Sequence, residues 1–205
     1  MNKAKLSPGL IFPIDSYPFG RSYEEWAVSW WRWLLSIPKS ASPAIDTSGK
    51  NAYSNQKHPN VIFLCQTYEE SELNPTRCID LPKNTAIFIP IINWISLLNH
   101  DGQNDKEMLD TARERMDVVR DMEFSINGFS IKNQLHDFRI LTPFFDVELP
   151  EDNVVGLSPG SRRAVSDGFW VFVKPLQAEG CLSTFGSCSS GITRIGVQYE
   201  ITISG

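Results

Sequence analysis

The sequence lacks the clustered positive charge that nucleic-acid-binding proteins carry. Its 205 residues include 19 Lys and Arg against 24 Asp and Glu, which gives a formal net charge of -5 at pH 7. The densest basic stretch, residues 113–120, interleaves arginines with acidic residues, as a solvated helix face does. Because phosphate backbones are bound by clustered Lys and Arg, this balance argues against a nucleic-acid partner.

Long apolar runs are also missing. The longest, residues 86–92, contains Pro90, whereas a membrane-spanning helix needs about 20 apolar residues. Two lysines near the N-terminus are followed by no apolar segment. We therefore expect no membrane span and no signal peptide, and either a cytoplasmic protein or a processed form of an exported one.

Cysteines are few, at positions 65, 78, 181 and 188. No two of them have the C-x-x-C spacing of zinc ribbons or thioredoxin motifs, so we expect no metal site. Cys181 and Cys188 flank a Ser/Gly-rich segment that predicts a turn. In an oxidising compartment we expect a Cys181–Cys188 bridge and another between Cys65 and Cys78; otherwise all four are ordinary thiols.

Recognisable catalytic motifs are absent, since neither G-x-S-x-G nor H-E-x-x-H occurs. Three histidines are scattered at positions 58, 100 and 136. His100-Asp101 and His136-Asp137 pair a possible base with a carboxylate, but neighbours in sequence rarely face each other in that role. The sequence identifies no catalytic residues, and no cofactor is expected.

A tryptophan-rich helix is the most distinctive feature that is present. After an extended lead-in over residues 1–21, Ser22 and Glu25 form a capping box that predicts a helix over 22–37, and Pro38 ends it. Three tryptophans at helical spacing share one face of it: Trp26, Trp30 and Trp33.

Those three rings can clamp the helix onto a sheet, because each buries a large apolar area. Trp31 and Arg32 lie off that stripe, and we expect them to face outward. Together with Trp170 they are our candidate ligand-binding residues, in an aromatic surface for a glycan or a protein partner.

The rest of the chain predicts short strands and one further helix. Asn127-Gly128 between two alternating segments is a strong hairpin signal, and a helical insertion is expected at about 105–121. We predict a single domain of the mainly β class, with antiparallel sheets in a β-sandwich or jelly-roll arrangement over 61–203 and two α-helices. The predicted strands are 61–67, 78–81, 85–95, 123–126, 129–132, 138–142, 144–149, 164–174 and 193–203.

The opening of the helix resembles an uncharacterised bacterial and archaeal family of hypothetical proteins with an S-Y-x-E-W…W-W-x-W…S-I-P signature. The stretches that carry the resemblance are residues 22–26, 30–33 and 36–38, followed by 46–49, 61–64, 77–78, 87–93, 167–170, 175–176 and 197–203. The resemblance implies a β-rich C-terminal half and assigns no activity.

The resemblance also bears on the cysteines. Many family members are exported, and in them a cysteine often follows the segment equivalent to 46–49. The corresponding position here is near Ala52, so one bridge of the family would have to be rewired, for example to Cys65. A histidine common before the family's penultimate strand is replaced here by Gly180-Cys181.

Three functional hypotheses follow from the sequence. The leading one is a binding or interaction module that recognises a glycan or a protein partner. The second is a hydrolase, directed at glycosides or esters, whose histidines or carboxylates converge only in the fold. Asp146 and Glu148 are the closest carboxylate pair, but their alternation with apolar residues indicates the solvated face of a strand. The third is a structural or toxin-like protein that assembles.

Overall fold

The computed structural model describes residues 9–67, 74–188 and 194–204, apart from the side chains of Cys188 and Arg194. Short 3-10 helices occur at Pro18–Gly20, Lys39–Ala41 and Lys132–Phe138. The helices and strands, in chain order, are α1 Tyr23–Leu35, β1 Val61–Phe63, β2 Thr76–Pro82, β3 Ala86–Leu97, α2 Asp105–Asp117, β4 Val119–Ile126, β5 Phe129–Ser130, β6 Arg139–Leu141, β7 Phe145–Leu149, β8 Gly160–Val173, β9 Gly180–Cys188 and β10 Arg194–Ser204.

Ten strands form two five-stranded sheets within the described residues. Sheet I has the order β1-β3-β8-β6, and β7 also pairs with β8, along residues 160–164, whereas β6 pairs along residues 167–169. Sheet II has the order β2-β10-β9-β4-β5. The predicted mainly β class with two α-helices is confirmed. The sheets are mixed rather than purely antiparallel, because β1 runs parallel to β3 and β2 runs parallel to β10.

Sheet I is covered on both faces. Ile87, Ile89 and Ile91 of β3 pack with residues of sheet II in one core, while Ala86 and Phe88 pack under α1 in a second core. Strands buried on both faces are apolar throughout rather than alternating. The continuous apolar run of β3 is therefore explained by a helix–sheet–sheet layering.

The helix α1 begins as predicted. The Ser22 side chain accepts from Glu25 N and the Glu25 side chain accepts from Ser22 N, which completes the capping box. All four of its tryptophans are buried, and each indole N–H donates to a different segment of the chain. The pairs are Trp26 to Pro18 O, Trp30 to Leu64 O, Trp31 to Ser166 Oγ and Trp33 to Ser54 O.

The second helix is shorter than the predicted 105–121. Asn104 caps its N-terminus, and it ends at Asp117, since Val119 and Met122 turn into the core between the sheets as part of β4. Among the described residues no helix is long and apolar enough to cross a membrane.

The expected Cys181–Cys188 bridge is wrong, because both residues belong to one strand, β9. Seven residues of extended chain separate their Cα atoms by about 23 Å, whereas bridged cysteines lie within about 7 Å. The side chain of Cys188 lies outside the described part of the chain. Thr193, the first residue of the predicted last strand, also lies outside it. Cys65 and Cys78 are both free thiols: Cys65 is buried and Cys78 is exposed.

Candidate functional site

The predicted binding residues occupy three different environments. Trp31 is only 4% exposed and Trp170 is 0% exposed, so the expectation that they form an exposed aromatic surface is wrong. Trp170 lies beneath α1, stacked on Phe88 with ring centroids 5.2 Å apart. Arg32 is exposed, as predicted. The roles of these three residues in binding stay predictions.

An apolar groove lies beside α1, and Trp31 contributes to it. We call it the α1–β3 groove; its volume is about 260 Å³. Apart from a few polar groups, its walls are apolar. The residues that line it are Trp31, Leu34, Leu35, Asn93, Trp94, Ile95, Leu97, His100, Asp101, Val154 and Val155.

A chain of hydrogen bonds fixes the Trp31 ring in this groove. Its Nε1 donates to Ser166 Oγ at 2.6 Å, and Ser166 Oγ donates to the Trp94 carbonyl at 2.7 Å. Trp31 also meets Trp30 edge to face, with ring centroids 4.9 Å apart. Because its polar atom is satisfied and its ring is packed, Trp31 provides a preformed wall.

The loop between β7 and β8 also contributes to the lining of the groove. The Asn153 side chain holds this loop by donating to Pro150 O and Leu157 O and by accepting from Leu157 N. The loop is tied to the segment after α1, since Asp152 O accepts from Lys39 N at 2.6 Å. These contacts hold Val154 and Val155 in the lining of the groove, where they pack against the core under α1.

The polar end of the groove is a tight turn after β3. Asp101 Oδ2 accepts from Leu97 N at 2.9 Å and lies 3.0 Å from His100 Nδ1, so these sequence neighbours do face each other. Gly102 is required here, because a Cβ would lie 2.6 Å from Met108 N. The His100 side chain is 53% exposed, which leaves its ring accessible from the solvent.

Other sequence candidates do not join this site. Asp146 and Glu148 lie on the exposed face of β7, as their alternation predicted. His58 packs on Trp26 with ring centroids 4.9 Å apart, and His136 lies beside Phe169. Among the residues that the structure describes, no three His, Cys, Asp or Glu side chains converge to hold a metal ion.

The fold and the groove together define a mainly β, two-sheet protein with an apolar groove beside its covering helix. No family model matches the chain, so the resemblance carried by residues 22–38 stays a prediction. No curated protein matches either.

Three solved structures are similar to parts of the chain. One is the cysteine protease inhibitor EhICP2 from Entamoeba histolytica, at 11% identity over 69% of this chain and 95% of that one, with a TM-score of 0.25. Another is PbICP-C in complex with falcipain-2, at 10% identity over 69% and 98%, with a TM-score of 0.28. Amebosin matches at 10% identity over 71% and 100%, with a TM-score of 0.21. TM-scores this low carry no conclusion about function.

Proposed function

We propose that this protein is a non-catalytic binding module whose α1–β3 groove receives an apolar side chain of a protein partner. The observation that carries the proposal is the groove itself: a preformed, largely apolar depression whose lining includes Trp31, Leu34 and Leu35 of α1 and Val154 and Val155 of the β7–β8 loop. Apolar pockets that accept one large side chain are typical anchor sites of protein interfaces.

The size and lining of the groove favour a side chain over a glycan. Its volume of about 260 Å³ lies below the usual range of about 300–1,000 Å³ for pockets that enclose a whole small molecule. Sugars carry a hydroxyl on nearly every carbon and need several polar partners. The groove offers few, mainly Asn93, His100 and Asp101.

Rigidity of the walls adds support. Trp31 is held by its bond to Ser166, and the loop that carries Val155 is held by Asn153. A partner that enters a preformed site loses less free energy to ordering than one that must first organise the site.

A peptide-display selection tests the proposal with a variant that fills the groove. Val155 is half-buried at the edge of the groove, so Val155→Phe should occupy the space without opening the core. We expect the wild type to enrich peptides with a recurrent aromatic or long aliphatic residue. Val155→Phe should weaken the binding of those peptides at least about tenfold, which corresponds to the burial of one apolar side chain.

The matched control is Val118→Phe, the same change at an exposed position outside the groove. It should bind the selected peptides as the wild type does. Thermal melts of both variants must show intact folds. Selection of no peptide, or equal binding by Val155→Phe, would contradict the proposal.

A hydrolase is the second candidate, because the contact between His100 Nδ1 and Asp101 Oδ2 lies at the groove. A histidine held by a carboxylate can act as a general base. The groove lining includes no serine, threonine or cysteine, so the base would have to activate water. This candidate requires hydrolysis of p-nitrophenyl butyrate above the uncatalysed rate and its loss in His100→Gln; no turnover rejects it for ester substrates of that kind.

A further inference from the structure

A second depression lies against a different side of α1 and shares no lining residue with the groove. We call it the α1–β7 cleft; its volume is about 280 Å³. Val28 and the aromatic rings of Phe144 and Phe145 supply its apolar part, and two arginines, Arg21 and Arg32, supply its charge.

Both arginines are held by hydrogen bonds to neutral groups, and neither guanidinium is paired with a carboxylate in the described residues. Arg21 Nη1 donates to Ser29 Oγ at 3.1 Å, and its guanidinium lies over the Trp26 ring at 5.3 Å. Arg32 Nε donates to the Asp146 carbonyl at 3.0 Å. Within the described part of the chain, neither arginine forms an ion pair with a carboxylate. The guanidinium stays protonated at all ordinary pH values, so the cleft carries two cations without paired anions.

The one carboxylate of the cleft is engaged elsewhere. Glu25 Oε2 accepts from Ser22 N at 2.8 Å as part of the capping box, which turns this oxygen toward the start of α1. Ser29 Oγ donates to Glu25 O, which fixes the hydroxyl that Arg21 contacts. The cleft therefore combines fixed guanidinium donors with an apolar floor.

We infer that the α1–β7 cleft binds a carboxylate carried on an apolar or aromatic body. Guanidinium groups form the strongest hydrogen bonds of proteins with carboxylates, and Phe144 and Phe145 would contact the body of the ligand. This site is separate from the α1–β3 groove. The bond to the Asp146 carbonyl uses only the Nε–H of Arg32, and the ligand would use its remaining donors.

NMR titration with N-acetyl-L-phenylalanine tests the inference, with N-acetyl-L-phenylalaninamide as the uncharged match. We expect the acid to shift the Nε–Hε signals of Arg21 and Arg32 saturably, and the amide to bind at least about tenfold more weakly, as the loss of charge-assisted hydrogen bonds implies. The peptide N-acetyl-Asp-Phe-amide, with its side-chain carboxylate, distinguishes an acidic residue inside a partner chain from a free terminal carboxylate.

Arg32→Gln and Arg21→Gln should each weaken the acid at least about tenfold, while Arg120→Gln, at an exposed site on β4, should leave it unchanged. Val155→Phe should also leave it unchanged, which separates this inference from the function proposed for the groove. Equal binding of acid and amide, or no saturable shift up to about 50 mM, a concentration far above the Kd of an ordinary weak site, would overturn the inference.

Discussion

At the scale of single residues, Trp31 shows how a helical stripe can mislead. A turn of about 100° separates it from Trp30, which suggested an outward position. The helix is, however, buried on more than one side, since nine of its 13 residues are buried. It is surrounded by sheet I, by the loop of residues 36–60 between α1 and β1 (the long loop) and by the β7–β8 loop. No periodic pattern in the sequence indicates this enclosure.

We therefore predict that Trp31→Ala and Trp30→Ala each lower the free energy of unfolding by about 3–5 kcal/mol, the usual cost of removing a buried large aromatic side chain. Both rings are nearly inaccessible, and both indole N–H groups are bonded. Arg32→Ala is the neighbouring control and should change the stability by no more than about 0.5 kcal/mol. Thermal and urea melts decide; a Trp31→Ala variant as stable as the wild type would contradict the buried position.

The free thiols are explained at the same scale. Cys65 lies inside, 3.9 Å from Arg77 Nη1, and burial raises the pKa of its thiol. Cys78 lies on the other side of β2, where its Sγ is 3.7 Å from Glu200 Oε2. Because alternate residues of a strand face opposite sides, the contact with Arg77 places Cys65 on the side away from Cys78, so the predicted Cys65–Cys78 bridge is wrong.

At the scale of elements, β9 is the strand that the sequence pattern did not predict. Its inward positions include Leu182, Thr184 and Gly186, of which only one is a large apolar residue, so the segment looks like a Ser/Gly-rich turn. Gly186 is small for a physical reason: a Cβ there would lie 2.8 Å from Ile92 Cβ and 2.9 Å from Ile91 O. Ile91 and Ile92 lie at the irregularity in the pairing of β3 with β8, which falls between Pro90 and Ile92.

Gly186→Ala should therefore destabilise the protein by about 1–3 kcal/mol, the usual cost of overpacking a core. The methyl group would meet a backbone oxygen that cannot move independently of β3. Gly9→Ala is the control, because a Cβ at Gly9 would meet nothing within 4 Å. Urea denaturation compares the two variants; equal stability would mean that the sheets can separate there without cost.

The edge of sheet II bears on the hypothesis of an assembling protein. Exposed strand edges invite pairing between molecules. Along β2 the long loop approaches closely, since a Cβ at Gly49 would lie 3.0 Å from Cys78 O and the Tyr53 hydroxyl donates to Asp80 O. This cover argues against assembly through β2, while the other edge strand, β5, has only two residues.

At the scale of the whole molecule, local pattern predicted more of the elements than of their arrangement. The capping box, the Asn127-Gly128 turn and the alternating final strand all appear in the structure near the predicted positions. The parallel pairing of β2 with β10 could not be predicted, because it joins residues more than 100 positions apart. The contribution of Val154 and Val155 to the groove could not be predicted either, because their loop has no periodic pattern and is positioned by the contacts of Asn153 and Asp152.

Arg77 joins the distant parts of the molecule. Its guanidinium is buried and donates to Cys65 O at 2.6 Å, to the Tyr199 hydroxyl at 2.7 Å and to Pro43 O at 2.8 Å. Burial raises the pKa of Tyr199 and of Cys65, so both stay neutral near pH 7. The cation is therefore balanced by oxygen acceptors from the long loop, from the segment after β1 and from β10.

Replacing Arg77 with Met keeps much of the buried volume but removes the donor to Pro43 O, while the Tyr199 hydroxyl still donates to Cys65 O. A buried polar group that loses its partner costs about 1–3 kcal/mol, so we expect a loss of that size in urea melts. Arg120→Met, at an exposed position, should change little.

A second measurement distinguishes a local role of Arg77 in holding the long loop from a contribution to global stability alone. Lys50 is exposed in the long loop that Pro43 O anchors to Arg77, and trypsin cleaves after lysine. If Arg77 holds this loop against the sandwich, Arg77→Met should speed tryptic cleavage at Lys50 more than it speeds cleavage at exposed sites of α2 such as Arg113. Equal acceleration at both sites would show that the variant only lowers global stability, because global unfolding exposes every site alike. Selective cleavage at Lys50 would show that the buried Arg77 guanidinium holds this part of the long loop in place.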